Sequence, residues 1–122
     1  MAYKIIRIVL FLALFYSLIF LYDYNIRFNS PKLYKAPSMF CQTRFIGITL
    51  PPVGIFICPD YFGDDNLRRH EMVHWVQYRR YGSIGFYIEY ALAWIKGGFS
   101  YDNNWMEKEA VNLSNVNPIN FK

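Results

Sequence analysis

The sequence predicts an α+β protein: an N-terminal transmembrane helix followed by a small domain containing a β-hairpin, a helix bearing two histidines, an aromatic connecting helix and a last short helix. Three observations predict it. Residues 5–22 form an almost unbroken apolar run; two short β-type runs, 43–50 and 53–57, flank Pro51-Pro52; and residues 67–81 hold neither Gly nor Pro while Leu67, His70, His74, Gln77 and Tyr81 fall on one helical stripe. At 122 residues the chain has room for one small domain.

The apolar run comes first. Roughly 18 residues at 1.5 Å rise come close to the 30 Å of a bilayer's hydrocarbon layer. A cleaved signal peptide shares the basic start and apolar middle, but this run is long and Tyr22-Asp23-Tyr24-Asn25-Ile26 holds no small-x-small processing site. A buried helix would need more domain around it than remains. The expectation is therefore an uncleaved, single-pass anchor, with Tyr16, Tyr22 and Tyr24 available to an interface. Lys4 and Arg7 on one side compete with Arg27, Lys32 and Lys35 on the other, so charge favours neither orientation.

Cys41 and Cys58 flank the hairpin region, and could meet across its strands as a disulfide of an oxidising compartment or stay as two buried thiols. Asp64, Asp65 and Asn66 supply N-cap oxygens for the next helix, and Gly82 is its natural stop. Arg68, Trp75 and Arg79 are expected on the face opposite the histidines. A second helix over 83–96, joined through Gly82-Ser83, would pair antiparallel with the first and bring Glu89 near the level of His74. Residues 112–120 read as a loosely ordered Asn-rich end. Asn112-Leu113-Ser114 matches a glycosylation triplet, a pattern common by chance. A net charge of +4 without an aromatic-interleaved basic run argues against nucleic acid and leaves the basic residues to membrane headgroups.

The chemistry lies in His70-Glu71-Met72-Val73-His74, which contains both histidines of the chain. On a helix, residues i and i+4 lie above one another, so two imidazoles can share a metal ion while Glu71, about 100° round the axis, reaches a water on it. A catalytic zinc takes three protein ligands and keeps one open position. The longer motif with a third histidine is absent, because its positions hold Gln77 and Arg80. A carboxylate must complete the set, and Glu89, Asp102, Glu107 and Glu109 all follow. Two other readings use the same residues. A closed zinc staple would add a fourth protein ligand such as Glu109 or Cys58; a di-iron site would need a second Glu-x-x-His, and no third histidine exists.

His70 to Gln77 reads His-Glu-x-x-His-x-x-Gln, an aromatic helix follows, and Asn104-Trp105-Met106-Glu107-Lys108-Glu109-Ala110 comes next. In these motifs the chain resembles the gluzincin zinc metallopeptidases, in particular their small bacterial and phage domains. The resemblance covers roughly the last two-thirds of the chain. Beside the anchor, assigned to 1–26 from its apolar run, it implies a minimal zincin-like metallopeptidase domain over 27–122 acting on peptides or proteins; a bacterial inner membrane is the expected location. The resemblance also implies Zn²⁺ held by His70, His74 and Glu107, the last with Ala110 three residues on, and Glu71 as general base. Glu109 is the alternative ligand. Val111 stands where many relatives have the Asp that orients a histidine, leaving Asn104, Asn112 or a backbone carbonyl to hold an imidazole. Gln77 could bond a ligand or the last helix, or serve only as a structural amide. The strand at 54–58 is expected to border the cleft, where an extended peptide could pair with it. Tyr78, Tyr87, Tyr90 and Tyr101 are candidate donors to an oxyanion, though each could equally be packing.

Overall fold

A computed structural model describes residues 1–115. The chain runs α1 (Ala2–Arg27), β1 (Leu33–Lys35), α2 (Ser38–Cys41), β2 (Gly47–Leu50), β3 (Gly54–Ile57), a 3-10 turn (Pro59–Tyr61), α3 (Asp65–Lys96) and α4 (Trp105–Ser114). This is an α+β arrangement with an apolar N-terminal helix. No residue of α1 is buried, and the helix is long and apolar enough to cross a membrane.

The hairpin forms with shorter strands than expected, and a third strand joins it. β2 pairs antiparallel with β3, Thr49 opposite Ile55, while β1 pairs parallel on the other side, Leu33 opposite Ile55, giving the order β1-β3-β2. Cys41 and Cys58 form a disulfide, but it ties α2 to the residue after β3 and does not cross the hairpin. Ile46, Ile55, Ile57 and Leu67 make one core between the sheet and the start of α3; Tyr61 and Phe62 cover it.

The Asp64 side chain accepts from Leu67 N and starts α3. At Gly82 the backbone takes φ 73° and ψ 176°, conformational space essentially restricted to glycine. Two helical arms, 65–81 and 83–96, meet there. They fold back on one another: the His74 and Tyr90 rings lie 6.3 Å apart, and Phe86 packs in one cluster with Trp75, Tyr78, Ala93 and Met106. The antiparallel register expected from the sequence is present, but Tyr90, not Glu89, faces His74. One residue's rotation of about 100° turns Glu89 away.

Trp75 also corrects the expected pattern. It is 1% exposed, not on an outer face, because the end of α1 covers that side: its Nε1 donates to Asn29 O, Arg79 Nε donates to Arg27 O, and Tyr78 Oη donates to Asp23 Oδ1. Tyr81, expected inside, is 40% exposed. α4 begins at an Asn104 cap that accepts from Met106 N and runs to Ser114, so Asn112 to Ser114 are helical and not a loose end. The rest of that Asn-rich stretch, beyond Asn115, lies outside the described residues.

Candidate metal centre

His70, Glu71, His74 and Gln77 all sit on the buried side of the first arm. α4 packs across them. Glu107, in its first turn, places Oε2 3.1 Å from Nε2 of His70 and 3.1 Å from Nε2 of His74. Three ligand-type atoms thus lie within 4.8 Å of one another, all from buried residues, a group that could hold a metal ion.

The other carboxylates are placed elsewhere. Glu109 pairs with Arg80 at 3.5 Å, Glu89 is half-buried on the second arm outside the triad, and Asp102 is exposed in the loop before α4. Cys58 is committed to the disulfide. Both fourth ligands that a closed zinc staple would draw on are therefore engaged away from the triad.

Each imidazole is oriented from behind. Gln77 Nε2 donates to Met106 O at 3.0 Å, which turns Oε1 toward His74 Nδ1 at 2.8 Å. Ser114 Oγ donates to Ala110 O at 2.6 Å and lies 3.4 Å from His70 Nδ1, from which it can accept. An Nδ1–H held this way leaves Nε2, the atom facing Glu107, to bind a cation. Gln77 and Ser114 therefore do what Asn104 and Asn112 were expected to do. Asn104 spends its side chain on Met106 N and Tyr90 O, and Asn112 is exposed. Ser114 was legible only as the residue seven after Glu107, two turns along the same helix face.

Glu71 lines the same cleft as His74 and Glu107 and is held from the sheet side. Thr49 Oγ1 on β2 stands 2.6 Å from its Oε2 and 2.9 Å from its backbone carbonyl, and its one hydroxyl hydrogen is within reach of either acceptor. Gly47 leaves the space beside it, since a Cβ there would come 3.1 Å from Oε1. Nothing in the sequence of β2 marked Thr49 for this part.

A cleft of about 310 Å³ opens on these groups. Its walls are mostly apolar, Phe45, Ile48, Leu50, Phe86 and Tyr87, with Glu71, His74, Glu107, Tyr90 and Tyr101 at the polar end. β2, not β3, borders it. β3 has neighbours on both sides, whereas β2 is one of the two edge strands. Tyr90 Oη donates to Glu107 Oε1 at 2.8 Å, and Tyr101 Oη is 3.5 Å from His70 Nε2. Tyr87 donates to Pro51 O, and Tyr78 is bonded to Asp23, away from the site.

Burial alone would lower the pKa of His74, but the Glu107 carboxylate beside it prevails and pushes it up to about 9. Burial acts against Glu107 too, yet His74 and the two imidazole hydrogen bonds hold its carboxyl well below the usual range. Burial raises Glu71 against the pull of both histidines. Burial and then Glu107 raise Tyr90 and Tyr101, so both remain hydroxyl donors at neutral pH. Without metal, the site holds a protonated His74 against an ionised Glu107, and a cation entering it must displace that proton.

No known protein family, curated protein or solved structure matches the chain.

Proposed function

We propose that the protein is a membrane-anchored, zinc-dependent peptidase of the gluzincin kind, with Zn²⁺ held by His70, His74 and Glu107. The convergence of Glu107 on both imidazoles, beside a separately held Glu71 in one apolar cleft, is the observation that carries this reading. Two imidazoles and one carboxylate are a donor set suited to zinc. Zinc bound there supplies a water whose pKa is lowered toward about 7, and a Lewis acid for a peptide carbonyl.

The chain's own groups do the rest. Glu71 takes the proton of the attacking water and passes it to the leaving amine, with Thr49 fixing its carboxylate. Tyr101, a neutral hydroxyl near His70 Nε2, is the donor placed for the developing oxyanion. The free edge of β2 offers backbone groups to an extended substrate, and the apolar walls suit a large apolar side chain. α1 anchors the domain. The Cys41–Cys58 bridge favours an oxidising compartment for the domain, which leaves Lys4 and Arg7 on the cytoplasmic side.

The test uses full-length protein, zinc analysis and a peptide library. Wild type should hold one zinc per chain and cleave; Glu71→Gln should keep the zinc and lose about 10²–10⁴-fold in rate. A Glu71→Gln protein as empty as His70→Ala overturns the role of Glu71. A zinc-loaded wild type that cleaves nothing overturns the peptidase.

A further inference from the structure

Residues 81–88, around the fold of α3, contain no charged side chain. Tyr81, Ile84, Tyr87 and Ile88 are 40%, 65%, 44% and 55% exposed there. A helix turn facing water normally shows the opposite composition.

The level of this turn along α1 follows from its contacts. Trp75 bonds to Asn29, while Tyr78, further along the first arm, and Ser83, just past the break, both bond to Asp23, so the first arm runs down α1 toward the apolar run. A groove of about 300 Å³ lies between the two helices, with Tyr16, Ile19 and Phe20 on one side and Tyr81, Ile84 and Gly85 on the other. Whatever surrounds residues 16–20 of α1 also surrounds the turn.

We propose that the fold of α3 at Gly82 is inserted into the phospholipid bilayer, in the same leaflet as the C-terminal third of α1. The proposal rests on the reading of α1 as an anchor. Lipid demands that polar backbone at a helix break be satisfied within the protein. Asp23 does this: its carboxylate accepts from Ser83 N at 3.3 Å and from Ser83 Oγ. Arg27, Arg79 and Arg80 follow on the side away from the apolar run, where long basic side chains can reach the polar headgroup layer. The second arm, 83–96, is too short to span a bilayer, and its length is that of an interfacial or re-entrant segment as well as of a core helix. Tyr87 belongs both to the turn and to the cleft wall, so the metal centre opens next to the lipid surface.

Tryptophan scanning in full-length protein tests this, in phosphatidylcholine vesicles containing brominated acyl chains. Ile84→Trp, and Ile88→Trp one turn on, replace exposed side chains; Phe11→Trp, in the middle of α1, reports the anchor. The fluorescence added by Ile84→Trp and Ile88→Trp should lose most of its intensity to brominated lipid and little to aqueous acrylamide. Quenching by acrylamide alone means that the turn is in water, and quenching by neither means that protein covers it; both overturn the insertion. If Phe11→Trp is quenched by lipid while the two α3 probes are not, the anchor stands and the insertion falls. If Phe11→Trp is also untouched by lipid, the two fall together.

Discussion

The two arms of α3 are joined at one glycine, yet only the first buries charged and polar side chains. The first buries His70, Glu71, His74 and Gln77 and exposes Arg69 and Arg80; the second buries Phe86 and Ala93 and exposes Ile84, Ile88, Leu92 and Ile95. Buried polar groups are costly unless bonded, and those of the first arm are bonded in a connected set: His74 to Gln77, Gln77 to the α4 backbone, Glu71 to Thr49, both histidines to Glu107. The first arm is organised around a site. The second is organised around what it touches, α4 on one side and, by the proposal above, lipid near the turn.

The largest expected effect lies in the first arm's partner across the site. Glu107→Gln should cost far more metal affinity than the about 10–100-fold typical of an outer partner, while Glu109→Gln and Glu89→Gln should bind like wild type in a chelator competition. Wild-type affinity in Glu107→Gln, with failure in either of the others, would remove Glu107 from the site. Next comes the support behind the ligands. Gln77→Ala should weaken metal binding by about 10–100-fold, and Ser114→Ala, acting through a longer contact, by less. Equal and negligible losses would show that the imidazoles need no orienting.

Acidity should separate the metal-free and metal-bound states. The His74 pKa, raised from 6.5 to about 9, means that its pairing with Glu107 stabilises the metal-free fold fully below pH 6.5 and is lost as pH rises through about 9. The depressed Glu107 works in the other direction: its contribution is present above its ordinary value of 4.5 and is lost as pH falls through its lower folded value. Metal must displace the His74 proton, so affinity should rise by about tenfold per pH unit across the neutral range and level off near pH 9. A flat pH profile in chelator competition would mean that His74 is not protonated when the metal enters.

The smallest effect concerns the junction between the arms. Gly82→Ala introduces a Cβ at φ 73°, 3.2 Å from Arg27 Nη1 and 3.4 Å from Asp23 Oδ2. A non-glycine residue in that conformation costs about 1–3 kcal/mol, which should appear as an earlier unfolding midpoint in detergent. An unchanged midpoint would mean that the arms can meet by another path.

The features legible in the sequence were those carried by short-range rules. Asp64 and Asn104 cap their helices as their residue types suggest, Gly82 breaks the helix, and the i, i+4 histidines share a face. What was hidden depends on distant partners. β1 is a three-residue strand recognisable only through its parallel neighbour β3. Thr49 matters because β2 lies beside α3, and Trp75 is buried because residues 26–29 return over it. Glu89 illustrates the limit well: the pairing level of the arms followed from chain length, but the face did not.

His74 and Tyr90 are equidistant from Gly82, one in each arm, and Tyr90 in turn bonds Glu107. The glycine therefore acts as the zero of a ruler. Inserting or deleting one residue in either arm would turn everything beyond it by about 100° and slide it by about 1.5 Å, taking Tyr90 off Glu107 without altering a single residue of the site. Related chains built on this plan should vary freely in the loops and in the composition of the arms, but change arm length only in both arms together.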